Sequence, residues 1–144
     1  MGTYKPTPDV QVTGACTAYD DPESGATTIL EFHQGLWFGT KLTNSLISPN
    51  QCRTFGVAIC DDPYDPYRKL GIFDPVTELE IPMQMSATIV YVTTRVPAWQ
   101  EINDCPRIVM TDDREWNPSM IDLSILEGGG GVFSDRGIGT HIKY

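Results

Sequence analysis

The sequence predicts a mostly β domain of short strands, with one or two short helices and extended terminal arms. Three observations predict it. Eleven Pro and thirteen Gly, spread along 144 residues, cut the chain into pieces too short for long helices. An apolar content of 40%, with 10% aromatics, suffices for a packed core and excludes a disordered tail. The best-written helix signal spans only one or two turns. A chain of this length makes one domain rather than two. The reading places an N-terminal arm at 1–9, a β body at 10–127, and a glycine hinge with a C-terminal arm at 128–144.

Val10, Val12 and Ala15–Tyr19 predict a first strand. Asp20-Asp21-Pro22-Glu23-Ser24-Gly25 is dense turn chemistry, with Asp before Pro and Gly to close. Thr27–His33 alternates, with Leu30 and Phe32 on one face and Ile29, Glu31 and His33 on the other, which makes a hairpin. Gly35 and Gly39 bracket Leu36-Trp37-Phe38, a corner followed by a short apolar run of the kind buried on both faces.

The next element is the best specified. Ser48 caps a helix, Pro49 suits its first position, and Gln51, three after Ser48, completes a capping box. Gly56 fits the left-handed stop. Cys52 and Phe55 lie three apart and share the face directed at the core. Val57–Cys60 starts another strand, and Asp61–Tyr67 is a Pro/Asp/Tyr loop. Glu78–Gln84 and Ala87–Arg95 follow as strands, the second rich in Ile, Val, Tyr and Thr. Pro97–Ile102 is a helical turn with Pro97 at its first position, ended by Cys105-Pro106. Arg107–Thr111 is a strand, and Asp112–Pro118 a polar corner with Trp116 as anchor. Gly128–Gly131 is a hinge. The arm beyond it carries Val132, Phe133, Ile138 and Ile142, and the stretch Tyr4–Asp9 is held extended by Pro6 and Pro8.

A net charge of −9 and only ten scattered basic residues argue against nucleic acid and against an anionic membrane as partners. An acidic surface serves solubility. No apolar run reaches the ~18–20 residues that span a bilayer. The first dozen residues hold no hydrophobic leader, and Pro6 stands where a myristoylation signal needs Ser or Thr. An intracellular protein and a processed product both fit. Cys16, Cys52, Cys60 and Cys105 form no C-x-x-C, and His33 and His141 lie far apart, so a metal site has no support and no cofactor is expected. The four thiols read as small buried hydrophobes; in an oxidising compartment Cys52 and Cys60 are the nearest pair.

Other constellations are weaker. Asp61, Asp62 and Asp65, and likewise Asp112, Asp113 and Glu115, supply carboxylates without EF-hand spacing. No Gly-x-Ser-x-Gly elbow accompanies His33. Tyr64, Tyr67, Trp99 and Trp116 sit in Pro-rich loops, as a binding face for sugars or peptides or as loop anchors.

The order of YDDPESG, LEFHQGLWFG, SLISPNQCRTFG and ICDDP from Ala18 to Asp62 resembles the closing half of a retropepsin-like aspartic protease domain, in the version of copia-type LTR retroelement polyproteins. PAWQEI, IVMTDD and EWNP extend the likeness more loosely. The resemblance implies a retropepsin-like β-barrel or sandwich, with Leu36, Trp37, Leu46, Ser48, Gln51 and Gly56 as structural positions. It supplies no catalytic residue. An aspartic protease needs two carboxylates that share a proton, and the sequence has no Asp-Thr-Gly or Asp-Ser-Gly. Val12-Thr13-Gly14-Ala15 mimics that loop with Val for Asp, and Asp135-Arg136-Gly137 lacks the hydroxyl. In this family pattern the catalytic loop lies upstream of the first strand here. Two classes of function follow. One is a non-catalytic, self-assembling β domain, a homo-oligomer joined through its arms. The other is the C-terminal part of an aspartic endopeptidase that needs an upstream Asp-bearing segment.

Overall fold

A computed structural model describes residues 11–37 and 44–116. The chain divides into two units, Met1–Arg114 and Glu115–Tyr144, and the fold below is that of the first. Of the described residues 41% are in strands and 12% in helices. In order they form β1 (Gln11–Asp20), β2 (Thr27–Trp37), α1 (Pro49–Thr54), β3 (Ala58–Cys60), β4 (Gly71–Asp74), β5 (Leu79–Pro82), β6 (Gln84–Ser86), β7 (Ile89–Tyr91), α2 (Trp99–Asp104) and β8 (Arg107–Val109). The strands make two three-stranded sheets, β1-β2-β8 and β3-β4-β5, and a separate β6-β7 hairpin. None closes into a barrel, so the architecture is that of a small sandwich.

The β1-β2 hairpin is the longest element. Its turn is built by Asp21, whose side chain accepts from the Glu23 N–H and the Ser24 hydroxyl, both at 2.9 Å. β8 adds to β2 in parallel, with Leu30 beside Ile108. In the second sheet the register lines up Ile59, Ile72 and Ile81 across three strands. That row is buried and joins Tyr19, Leu30, Ile108 and Met110 of the first sheet's inner face, with Cys52 and Val57 from the α1 region, in one core. The β4-β5 turn is closed by buried Asp74, whose carboxylate accepts from the Val76 N–H at 3.1 Å and the Thr77 hydroxyl at 2.7 Å.

The α1 ends carry the expected caps. Ser48 Oγ accepts from the Gln51 N–H at 3.4 Å, the forward half of a capping box, and Pro49 opens the helix. At the other end Gly56 takes φ 93. Its N–H reaches the Arg53 carbonyl at 3.0 Å, and the Val57 N–H reaches the Cys52 carbonyl at 3.1 Å. This pair of bonds is a Schellman stop, and the buried Cys52–Val57 pair is its hydrophobic seal.

Four expectations need correction. The corner expected at Gly35 is absent, because β2 runs unbroken to Trp37. Instead a bulge sets His33 and Gln34 opposite Gly14, with Gln34 at φ 58. The extra residue reverses the alternation beyond it. Leu36, expected to be buried on both faces, therefore pairs with Val12 on the outer face and is 61% exposed. The strand expected over Ala87–Arg95 shrinks to Ile89–Tyr91, since Ala87 at φ 55 belongs to a turn. Pro97 precedes the α2 cap rather than opening the helix, and the cap is Ala98, whose N–H donates to the Glu101 carboxylate at 2.8 Å. β4 was not expected at all; Gly71 and Asp74 at its ends carry turn chemistry and hide Ile72-Phe73.

Arg95 joins three distant pieces. It binds Asp20 at the end of β1 at 2.6 Å and Glu101 of α2 at 2.6 Å, and its backbone bridges Ala18. The guanidinium holds both Asp20 and Glu101 at about 2. Both carboxylates thus stay ionised in the folded chain to lower pH than in the unfolded chain, where they titrate near 3.8 and 4.5. Their contribution is complete above the unfolded values and is lost as pH falls through about 2.

Two outcomes are expected. Gly56→Ala costs roughly 1 kcal/mol or slightly more by urea denaturation. A Cβ there meets no neighbour within 4 Å, so only the left-handed backbone penalty is felt. Arg95→Met flattens the fall of the denaturation midpoint between pH 4.5 and about 2. Added salt weakens the native dependence in the same direction, because the node is half exposed. An Arg95→Met protein with the native pH slope would remove the node from this account of acid stability.

Candidate functional site

The outer face of the β1-β2-β8 sheet carries the densest set of functional groups. Strand pairing places Val12, Gly14 and Cys16 of β1 beside Leu36, His33 and Glu31 of β2, with Arg107 and Val109 on β8. The deeper end of this face, Ala18 and Ile29, is buried. α2 packs on β2. Glu31 lies between the His33 ring and Arg107, with one oxygen 2.9 Å from His33 Nε2 and the other 2.5 Å from the Arg107 guanidinium. Arg107 also donates to the Ile102 carbonyl of α2. The His33 bond first, and Arg107 second, hold the Glu31 carboxyl below its usual range.

The bulge that aims His33 is pinned from the end of β8. Thr111 Oγ1 accepts from the His33 N–H at 2.8 Å and donates to the His33 carbonyl at 2.7 Å. The Gln34 amide donates to the Asp112 carbonyl at 3.0 Å and to that of Arg114. Arg114 in turn binds Asp112 at 2.6 Å and lies 5.3 Å above the Phe55 ring, tying this corner to the end of α1.

Chemically this arrangement is a set of ties rather than a reaction centre. A general base must be free to accept a proton, and both Glu31 oxygens are engaged, one by the His33 ring and one by Arg107. A nucleophile needs a base within hydrogen-bond reach, and among the described residues no hydroxyl or thiol side chain bonds the His33 ring, whose partner is Glu31. Cys16 shares this face without such a partner. The Val12-Thr13-Gly14-Ala15 stretch is strand, not a catalytic loop.

The Asp61–Tyr67 loop spends its carboxylates on its own folding. Asp61 binds Arg53 at 3.1 Å. Asp62 accepts from the Tyr64 N–H at 2.9 Å, and Asp65 from the Tyr67 N–H at 2.8 Å. Among the described residues no three potential ligands converge on a metal position. Tyr64, Tyr67 and Trp99 do not anchor the loops; all three project into solvent.

Of the structural positions named from sequence, Ser48, Gln51 and Gly56 sit together on α1 and its stop. Leu36 and Leu46 are exposed, Leu46 at 85%, and Trp37 ends β2 opposite Gln11. Val132, Phe133, Ile138 and Ile142, the hinge before them and the N-terminal arm lie outside the described residues. Cys52 is a core thiol pushed up to about 12 by burial, and all four cysteines are free. The bulge and the Arg95 node were missed. Only the Gln-Gly pair after His33 hints at the first, and nothing local signals the second.

Comparison with protein-family models, with curated proteins and with solved structures finds no match to this chain.

Proposed function

We propose that this chain is a non-catalytic β domain that assembles with copies of itself, and that it derives from a retropepsin-like module of a copia-type retroelement. One observation carries the assembly reading: how the side chains are used. Each of the five arginines among the described residues is engaged in an ion pair within its own chain. The large apolar side chains are treated oppositely. Val12 and Leu36 form a cross-strand pair on the outer face that is 65% and 61% exposed. Outside the core, the arginines are thus used up inside the chain while Val12 and Leu36 are left on the surface, as in a domain that buries more surface on association.

The lineage rests on the order of the sequence motifs, and the absence of Asp-Thr-Gly and Asp-Ser-Gly supports a non-catalytic role. The terminal arms are the natural connectors. The N-terminal arm, with Pro6 and Pro8, lies just before β1 in sequence, and the C-terminal arm carries Val132, Phe133, Ile138 and Ile142 beyond four glycines. An extended arm can complete a neighbour's sheet edge.

Light scattering on the full chain is expected to give a mass above the monomer, and a chain stopping at Glu127 a smaller one. A full chain that stays monomeric at all concentrations overturns the assembly reading. The same number of subunits in both assemblies removes the arm as connector. Incubation with a denatured protein from pH 3 to 7 is expected to give no pepstatin-sensitive cleavage. Cleavage that tracks the purified protein would establish the peptidase reading instead.

A further inference from the structure

Residues 83–94, Met-Gln-Met-Ser-Ala-Thr-Ile-Val-Tyr-Val-Thr-Thr, are the longest stretch of the sequence free of charge, Pro and Gly together. They include β6 and β7, which among the described residues pair only with each other. A two-stranded hairpin is marginal by itself in water. This one is uncovered as well: Ile89 is 66% exposed, and Met85 and Tyr91 are also in water. Protein sheet edges are ordinarily blunted by Lys, Pro or a bulge, and this hairpin has none of these. High β propensity, no charge and no Pro together favour strand-to-strand pairing between chains.

We propose that the β6-β7 hairpin is a self-association contact distinct from the terminal arms, joined edge to edge along β7 with the same strand of a second copy. The proposal rests on the assembly reading above and names its surface. Charge selects the occupant. Each copy carries a net −9, so two copies meet at least cost where neither brings a carboxylate. Geometry selects the register. The two-residue turn Ala87-Thr88 closes on the Ser86–Ile89 pair, which leaves the N–H and C=O of Val90, in the middle pair with Met85, pointing outward. Antiparallel crossing about a two-fold axis at Val90 sets each Ile89 beside Tyr91 of the second copy. Aromatic and β-branched side chains are favourable cross-strand partners. The result is one four-stranded sheet in place of two isolated hairpins.

Sedimentation equilibrium on the full chain tests this with three variants. Ile89→Lys is expected to weaken association at least tenfold. The added lysine lowers the net negative charge, so general repulsion would shift the equilibrium the other way. Val76→Lys, at an apolar position on the β4-β5 turn that is 88% exposed, is expected to leave association unchanged. Ala87→Gly relieves the left-handed turn residue at φ 55 and is expected to hold association at or above the native level. In the associated native protein the Val90 amide should exchange more slowly with solvent than in dilute protein. Association that survives Ile89→Lys, or a Val90 amide unchanged on association, overturns the hairpin as the contact and leaves self-assembly standing. A native chain that never associates overturns both.

Discussion

The packing of one isoleucine row against one sheet face is the contact on which the rest of the structure depends. Ile59, Ile72 and Ile81 sit opposite one another on three strands and present a single buried ridge to Leu30, Ile108 and Met110. Among the described residues only eleven apolar side chains are fully buried, so this ridge is a large share of the core. Truncating one such side chain to Ala ordinarily costs roughly 2–5 kcal/mol, about a third of the stability of a domain stable by roughly 5–15 kcal/mol. A core this small also explains the short strands. Each strand needs only enough length to place one or two residues on the ridge. The turns must then supply the remaining order, as Asp21 and Asp74 do with hydrogen bonds from their own loops.

Ion pairs take over where the core stops. The region after β7 has few buried side chains, and Arg95 fixes it to the β1 end and to α2 through two carboxylates. Arg107 does the same for β8, reaching Glu31 on the neighbouring strand and the end of α2. Half-exposed pairs are individually weak. Their value here is positional, since each arginine joins segments far apart in sequence and fixes one arrangement among many.

Local chemistry was legible wherever a residue type has one strong conformational use. The Ser48-Pro49 start, the Gly56 stop and the Asp20–Gly25 turn all read correctly, because capping oxygens, ring constraints and left-handed glycines act within a few residues. The strands that carry the core residues Leu30, Ile59 and Ile108 were legible, the first by its alternation. What failed depended on distance or on a single-residue slip. The bulge at His33-Gln34 inverts which face Leu36 occupies, and alternation cannot reveal an inversion that begins with a non-glycine residue at positive φ. Ala87 hid the β6-β7 turn for the same reason, lying in a run of strong strand formers without Gly, Asn or Asp. The Arg95 node spans 75 residues to Asp20 and leaves no local signature.

The two misread positions share a consequence. Each puts apolar side chains where sequence patterning would have buried them. The bulge moves Leu36 onto the outer face beside Val12, and the tight turn at Ala87 folds an uncharged stretch back on itself as an exposed hairpin. Alternation that fails at a bulge or turn is expected where a sequence answers to something besides its own core. A chain selected only to fold would gain by placing Lys or Glu at positions 36 and 89, since both are already in solvent. Keeping Leu and Ile there is costly for an isolated subunit and useful for one that meets another. Both exposed apolar sites lie where the backbone departs from simple alternation, Leu36 beyond the bulge at His33-Gln34 and Ile89 after the turn at Ala87, so two local irregularities account for both.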